Sequence, residues 1–228
     1  MYDLHIANKN YSSWSLRPWV LLRELDIPFT EHQHYFTTPV GENVQFKAFS
    51  PTALVPALQD DGTTVWDSLA IAEYVHEAHP AVWPGDREAR AFARSAAAEM
   101  HSGFSALRNT CTMNCGLRID LNDVSAPLLR NIDRLDALFR EGLERFGGPF
   151  LAGPAFTAVD AFYCPVAFRV QTYGLTLSAP SQAYIERLLN LPSMQAWYAE
   201  AIGEAEREPE HEDEAQAAGT ITADYRIG

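Results

Sequence analysis

The stretch Leu54-Val55-Pro56-Ala57-Leu58 and, beyond an Asp61-Gly62 turn, Asp67-Ser68-Leu69-Ala70-Ile71 carry residue types and spacing suited to holding a peptide. Proline has no N–H, so a strand that begins at Pro56 has a free edge. With a cis Val55–Pro56 bond, the Val55 N–H and C=O turn outward and can pair with an extended peptide. A helix that starts at Ser68 presents unpaired N–H groups to a carboxylate, and Asp67 beside it can hold an ammonium. Together they suit a short peptide with a free amine and a free carboxylate at one end. Each piece alone has a plainer reading, since few X-Pro bonds are cis and Asp-Ser before an apolar run commonly caps a helix. Their order and close spacing favour binding.

Residues 1–80, through these two motifs in this order, resemble the thioredoxin-like domain of a cytosolic glutathione transferase. Glutathione is a peptide of the kind described. The resemblance implies that Val55 and Pro56 meet its cysteinyl backbone and that Asp67 and Ser68 hold its γ-glutamyl group. It also implies that a hydroxyl of Asn10-Tyr11-Ser12-Ser13-Trp14-Ser15-Leu16-Arg17 sits beside the sulfur. The spacing Ser12-Ser13-x-Ser15-x-Arg17 is similar to the zeta-class pattern, which carries the activating role onto Ser12, with Ser13 as a second donor. A free thiol has a pKa near 8.5; a Ser O–H and the positive end of a helix both favour its thiolate. The plainer alternative is that Ser12 and Ser13 only cap the helix. Ser15 reads as a helix-terminal residue, Tyr11 as a flanking contact, and Arg17 as half of an ion pair within the first helix.

Trp14 stands where the zeta pattern has a cysteine, and no cysteine precedes Cys111, which excludes a cysteine-based mechanism. The zeta class isomerises maleylacetoacetate with a central-helix arginine; counted from Thr157-x-x-Asp160 that position is Thr172, with Arg169 one turn earlier. His32, His34 and Lys47 are candidates for the glycine end of glutathione. Tyr11, Met100, Phe104, Arg108 and Tyr163 are candidates for a hydrophobic substrate pocket. The resemblance implies a cytosolic, serine-type transferase that uses glutathione as co-substrate, without metal, against small apolar electrophiles in detoxification. The alternatives are a zeta-like glutathione-dependent cis-trans isomerase and a non-catalytic glutathione-binding scaffold.

The elements that would position these residues follow from pattern. Strands at Tyr2 to Ala7 and Phe29 to Phe36 flank a helix at Ser15 to Leu25, and a short helix covers Glu42 to Phe49. The Pro56 strand, the Asp61-Gly62 turn and Thr64-Val65-Trp66 form a hairpin ahead of a helix at Ser68 to Ala78. The order βαβ-α-ββα predicts a thioredoxin-like α/β domain over residues 1–80. Two prolines and a glycine in His79-Pro80-Ala81-Val82-Trp83-Pro84-Gly85 mark a linker at 81–87. Phe92, Ala96, Met100, Phe104, Leu107 and Cys111 then keep helical spacing, as do Ile132, Leu135, Leu138, Phe139 and Leu143. With no convincing strand pattern, residues 88–203 read as an all-α domain. Thr157 and Asp160 can close a capping box ahead of a helix that is apolar almost all round.

A net charge of −13 is concentrated in Glu204 to Glu214, where seven acids face one arginine, and this segment reads as a solvated tail spanning 204–228. Arg87, Arg90 and Arg94 lack aromatic interleaving, so no nucleic-acid surface is expected. The absence of an apolar run of about 18 residues argues against a membrane span. Three cysteines argue against a disulfide framework and for a reducing, cytoplasmic setting. By resemblance the chain forms a homodimer through the helix at Ser68 to Ala78 and the segment 88–115. Arg87, Arg90 and Arg94 would then pair with Glu73 and Glu77 across the interface.

Overall fold

A computed structural model describes residues 1–36 and 43–227. The chain opens with β1 (Tyr2–Ile6), α1 (Ser13–Glu24) and β2 (Phe29–Gln33), followed by β3 (Ala57–Asp60), β4 (Thr63–Trp66) and α2 (Ser68–Ala78). These strands form one sheet in the order β2-β1-β3-β4; β1 and β2 are parallel, as a helical crossover requires, and the other pairs are antiparallel. Asp61 and Gly62 close the hairpin with φ of 44° and 85°, the positive values that match a tight turn to the strand twist. Between β2 and β3, a 3-10 turn spans Val44–Ala48; Glu42, the expected start of a short helix there, lies outside the described residues.

The second half contains α3 (Arg87–Ser102), α4 (Ser105–Thr110), β5 (Leu117–Leu121), α5 (Ala126–Phe146), α6 (Ala158–Tyr173), α7 (Ala179–Leu189), α8 (Pro192–Gly203), α9 (Pro209–Ala218) and β6 (Gly219–Asp224). Every residue of α6 except Gln171 is buried, as its all-round apolar sequence demands, and it packs against α1, α3 and α7. Asp160 anchors its first turn by accepting from the Thr157 N–H, the Leu151 N–H and the Tyr184 hydroxyl, each at 3.0 Å. Among the described residues, no helix is long and apolar enough to cross a membrane.

Four expectations need correction. The helix expected from the spacing of Phe92 to Cys111 breaks at Gly103 and Phe104, the latter at φ 55°, although apolar spacing continues across the break. Cys111 is therefore the residue that follows α4. The second half is not all-helical: β5 and β6 pair antiparallel, with Leu117 and Ile119 buried and the β-branched Thr220, Ile221 and Thr222 opposite. The acidic segment is not a loose tail, because it forms α9 and its carboxylates meet specific donors. Glu204 accepts from the Lys9 N–H (2.6 Å), the Asn10 N–H (3.1 Å) and Gln33 Nε2 (2.6 Å). Finally, Arg94 is engaged within its own chain, with a two-pronged hydrogen bond to Glu73 (3.0 and 2.8 Å), and Arg90 donates to the Pro84 and Gly85 carbonyls.

Candidate active site

The loop after β1, the loop before β3, the start of α2, α4 and the segment after it, α6 and α9 together enclose a cavity of about 730 Å³. Ser12 is the residue immediately ahead of α1, yet its side chain makes no capping bond to that helix. Its Oγ instead lies 2.7 Å from Ser15 Oγ, which also accepts from the Ala7 N–H at 3.2 Å. Ser15 thus fixes Ser12, so its role exceeds that of a helix-terminal residue. With Ser15 donating within this pair, the Ser12 hydroxyl hydrogen is left for a group in the cavity. Ser13, the first residue of α1, lines the same cavity.

Opposite lies the bend from Thr52 to Pro56, which lines the cavity and contains a cis Val55–Pro56 peptide, as expected. Among the described residues the Val55 N–H and C=O make no hydrogen bond. Asp67, at φ 74°, caps α2 by accepting from the Leu69 N–H at 2.8 Å with one oxygen. Its other oxygen is 3.5 Å from His101 Nε2, so the carboxylate serves both the cap and the cavity wall. Ser68 is buried and its Oγ accepts from Arg17 Nη1 at 3.3 Å.

Arg17 makes no ion pair within α1, which corrects that reading. It is fully buried, its guanidinium stacked on Trp14 (4.0 Å) and near Phe162 (4.9 Å). Burial, then the neighbouring Arg169 and Arg108, pull its pKa down to about 9. Arg108 and Arg169 both line the cavity. Arg169 donates Nε to the Cys111 carbonyl at 2.8 Å while its buried Nη1 has no partner among the described residues, and burial lowers its pKa to about 10.

The structure therefore gathers Tyr11, Ser12, Ser13, Val55, Pro56, Asp67, Ser68 and Arg108 around one space. It does not bring Met100, Phe104 or Tyr163 there. Met100 and Tyr163 are fully buried in the core, with the Tyr163 hydroxyl spent on the Ala96 carbonyl, and Phe104 sits in the break between α3 and α4. His34 and Lys47 are also absent from the lining: His34 lies 3.0 Å from His5 Nδ1 and stacks on Phe49, and Lys47 is exposed. His32 pairs with Asp3 at 2.8 Å. Sequence reasoning missed the far wall, made by Glu210, His211 and Glu214 of α9. Tyr11 Oη donates to Glu212 Oε1 at 2.6 Å, and Arg226 Nη1 donates to the same oxygen at 2.5 Å. Among the described residues, no group of three His, Cys, Asp or Glu side chains could hold a metal ion.

Residues 11–78 match the glutathione S-transferase N-terminal domain family. A dichloromethane dehalogenase of Methylorubrum extorquens is 44% identical over 55 residues, a stretch of 24% of this chain and 19% of that protein. The maleylacetoacetate isomerase of Rattus norvegicus is 26% identical over 181 residues, covering 78% of this chain and 82% of that one. A glutathione transferase homologue from Burkholderia gl BGR1, solved with bound glutathione, shares the fold with a TM-score of 0.66. It is 24% identical, over 88% of this chain and 97% of that one. The whole chain thus has the glutathione transferase fold, and residues 11–78 match that family's N-terminal domain.

Proposed function

We propose that the chain is a serine-type glutathione transferase in which Ser12 stabilises the glutathione thiolate for attack on a small electrophile. The observation that carries this reading is the Ser12 hydroxyl. It stands at the start of α1, is unused as a cap, is fixed by Ser15, and faces the cavity that also meets the unpaired Val55 backbone. In this reading Val55 pairs with the cysteinyl backbone, Pro56 sets its direction, and Asp67 and Ser68 take the γ-glutamyl amine and carboxylate. Ser13 is a second donor to sulfur. The electrophile lies toward Tyr11 and Arg108, on the side where Trp14 and Met113 supply apolar surface.

A hydrogen bond that strengthens only as the thiol ionises lowers the barrier without tightening ground-state binding. Ser12→Ala should therefore cut turnover at least tenfold with a model chloronitroarene while glutathione affinity, read by calorimetry, stays within about twofold. If Ser13→Ala or Tyr11→Phe gives that signature and Ser12→Ala does not, the assignment to Ser12 is wrong. A second reading, glutathione-dependent isomerisation, is favoured by one observation: the buried Arg169 at the cavity wall leaves Nη1 without a partner among the described residues, near the expected arginine position. The likeness to a maleylacetoacetate isomerase supports it. Turnover of a cis-enone diacid without net consumption of glutathione would select it. A cytoplasmic homodimer acting in detoxification completes the proposal.

A further inference from the structure

His211 has a setting that thiolate stabilisation by Ser12 does not use. It lies on α9, lines the cavity shared with Tyr11, Ser12 and Ser13, and is packed against the rings of Tyr11 (4.9 Å between centroids) and Phe36 (5.7 Å). Its Nδ1–H donates to Glu208 Oε2 at 2.6 Å, and the same carboxylate oxygen accepts the His211 N–H at 2.8 Å. Glu208 is only 3% exposed. A buried carboxylate with this double grip fixes both the orientation and the tautomer of an imidazole, leaving Nε2 as the acceptor nitrogen. Nε2 of His211 has no hydrogen-bond partner among the described residues.

We propose that His211 is the proton acceptor for the glutathione thiol, with Glu208 as its positioning residue. This rests on the thiolate reading above and extends it: the Ser12 hydroxyl stabilises the sulfur anion, and His211 removes the proton. The S–H bond breaks as the Nε2–H bond forms, and the electron pair stays on sulfur. Nδ1–H remains on Glu208. When sulfur displaces the leaving group, that group departs with its bonding pair and the imidazolium returns its proton to solvent. A base oriented by a third group is the general arrangement for activating a weak nucleophile. The charged and titratable groups around His211 are Glu208, Glu210, Glu212 and Glu214 of its own segment, Tyr11 facing it, and Arg226 acting through Glu212.

The test is the pH profile of turnover and the calorimetric glutathione affinity of the full chain and of His211→Ala and Glu208→Gln. Circular dichroism establishes that each variant is folded. Glutamine retains an oxygen for the cap of α9 while removing the charge. His211→Ala should lose at least tenfold in kcat at neutral pH, keep glutathione affinity within about twofold, and lose the acid limb of the profile. Added imidazole should restore part of the rate, and Glu208→Gln should fall between the wild type and His211→Ala. An unchanged kcat and acid limb in His211→Ala, with wild-type binding and turnover intact, would overturn this proposal and leave the Ser12 reading standing. Loss of glutathione affinity without imidazole rescue would also overturn it, by making His211 structural. A wild-type chain that neither binds glutathione nor turns over would remove both readings together.

Discussion

At the scale of residues, polar side chains in this molecule are committed by what burial leaves them to bond. Asp67 spends one oxygen on the start of α2, and its other oxygen lies 3.5 Å from His101 Nε2. Asp67→Asn keeps an oxygen for the cap but removes the negative charge. Glutathione binding should weaken about tenfold in calorimetry with kcat at saturation much less affected, the pattern of a lost ground-state contact. That Ser12, Asp67 and the Val55–Pro56 pair share one cavity was legible because their types and order are local. The histidines and arginines were not, since their partners come from remote segments: Arg17 meets Ser68, and His34 meets His5. His5 gives a test of its own. Burial, and then the neighbouring His32, lower its pKa to about 4. The unfolded chain therefore binds the proton first as pH falls, and stability declines from about pH 6.5 to about pH 4. The His5 contribution should cost about 2–3 kcal/mol across that window. His5→Gln should flatten that part of the pH dependence in urea unfolding, and an identical slope in the variant would contradict this assignment.

At the scale of elements, periodicity read correctly wherever one element buries its face against a neighbour close in sequence. That covers β1, α1, the β3–β4 hairpin, α2 and the wholly buried α6. It failed where pairing is long-range. Leu117-Arg118-Ile119-Asp120-Leu121 alternates over only five residues, and its partner β6 lies near the far end of the chain. It failed again at Gly103, where a helical apolar pattern spans two helices. Charge density misled at 204–214, because acids that would repel in water are separated by their own donors. Glu204 satisfies two backbone N–H groups of the loop that leads to Ser12. Glu204→Ala leaves those buried donors without an acceptor and should cost about 2–4 kcal/mol in denaturant unfolding, on the order of 1–3 kcal/mol per stranded group. A loss below about 0.5 kcal/mol would mean that this carboxylate is not holding the loop.

At the scale of the whole molecule, α9 completes the cavity that the two N-terminal motifs begin, and Glu212, bonded by Tyr11 and Arg226, ties α9 to the loop after β1. Assembly is a separate matter. Since Arg94 is satisfied by Glu73 of its own chain, a dimer must rest on other contacts of α2 and α3. Sedimentation at micromolar concentration should return about twice the mass of one chain, and Arg94→Ala should leave that mass unchanged. A monomer would refute the dimer without touching the chemistry. The central claim concerns sulfur, and it is tested most directly by the ultraviolet thiolate absorbance of bound glutathione, titrated against pH in the wild type and in Ser12→Ala. The bound thiol in the wild type should ionise at least about one unit below the ordinary value near 8.5, and in Ser12→Ala it should move back by about one unit, about 1.4 kcal/mol of lost preference for the anion. A bound thiol that ionises like free thiol, or one whose pKa is the same with and without the Ser12 hydroxyl, would contradict the account.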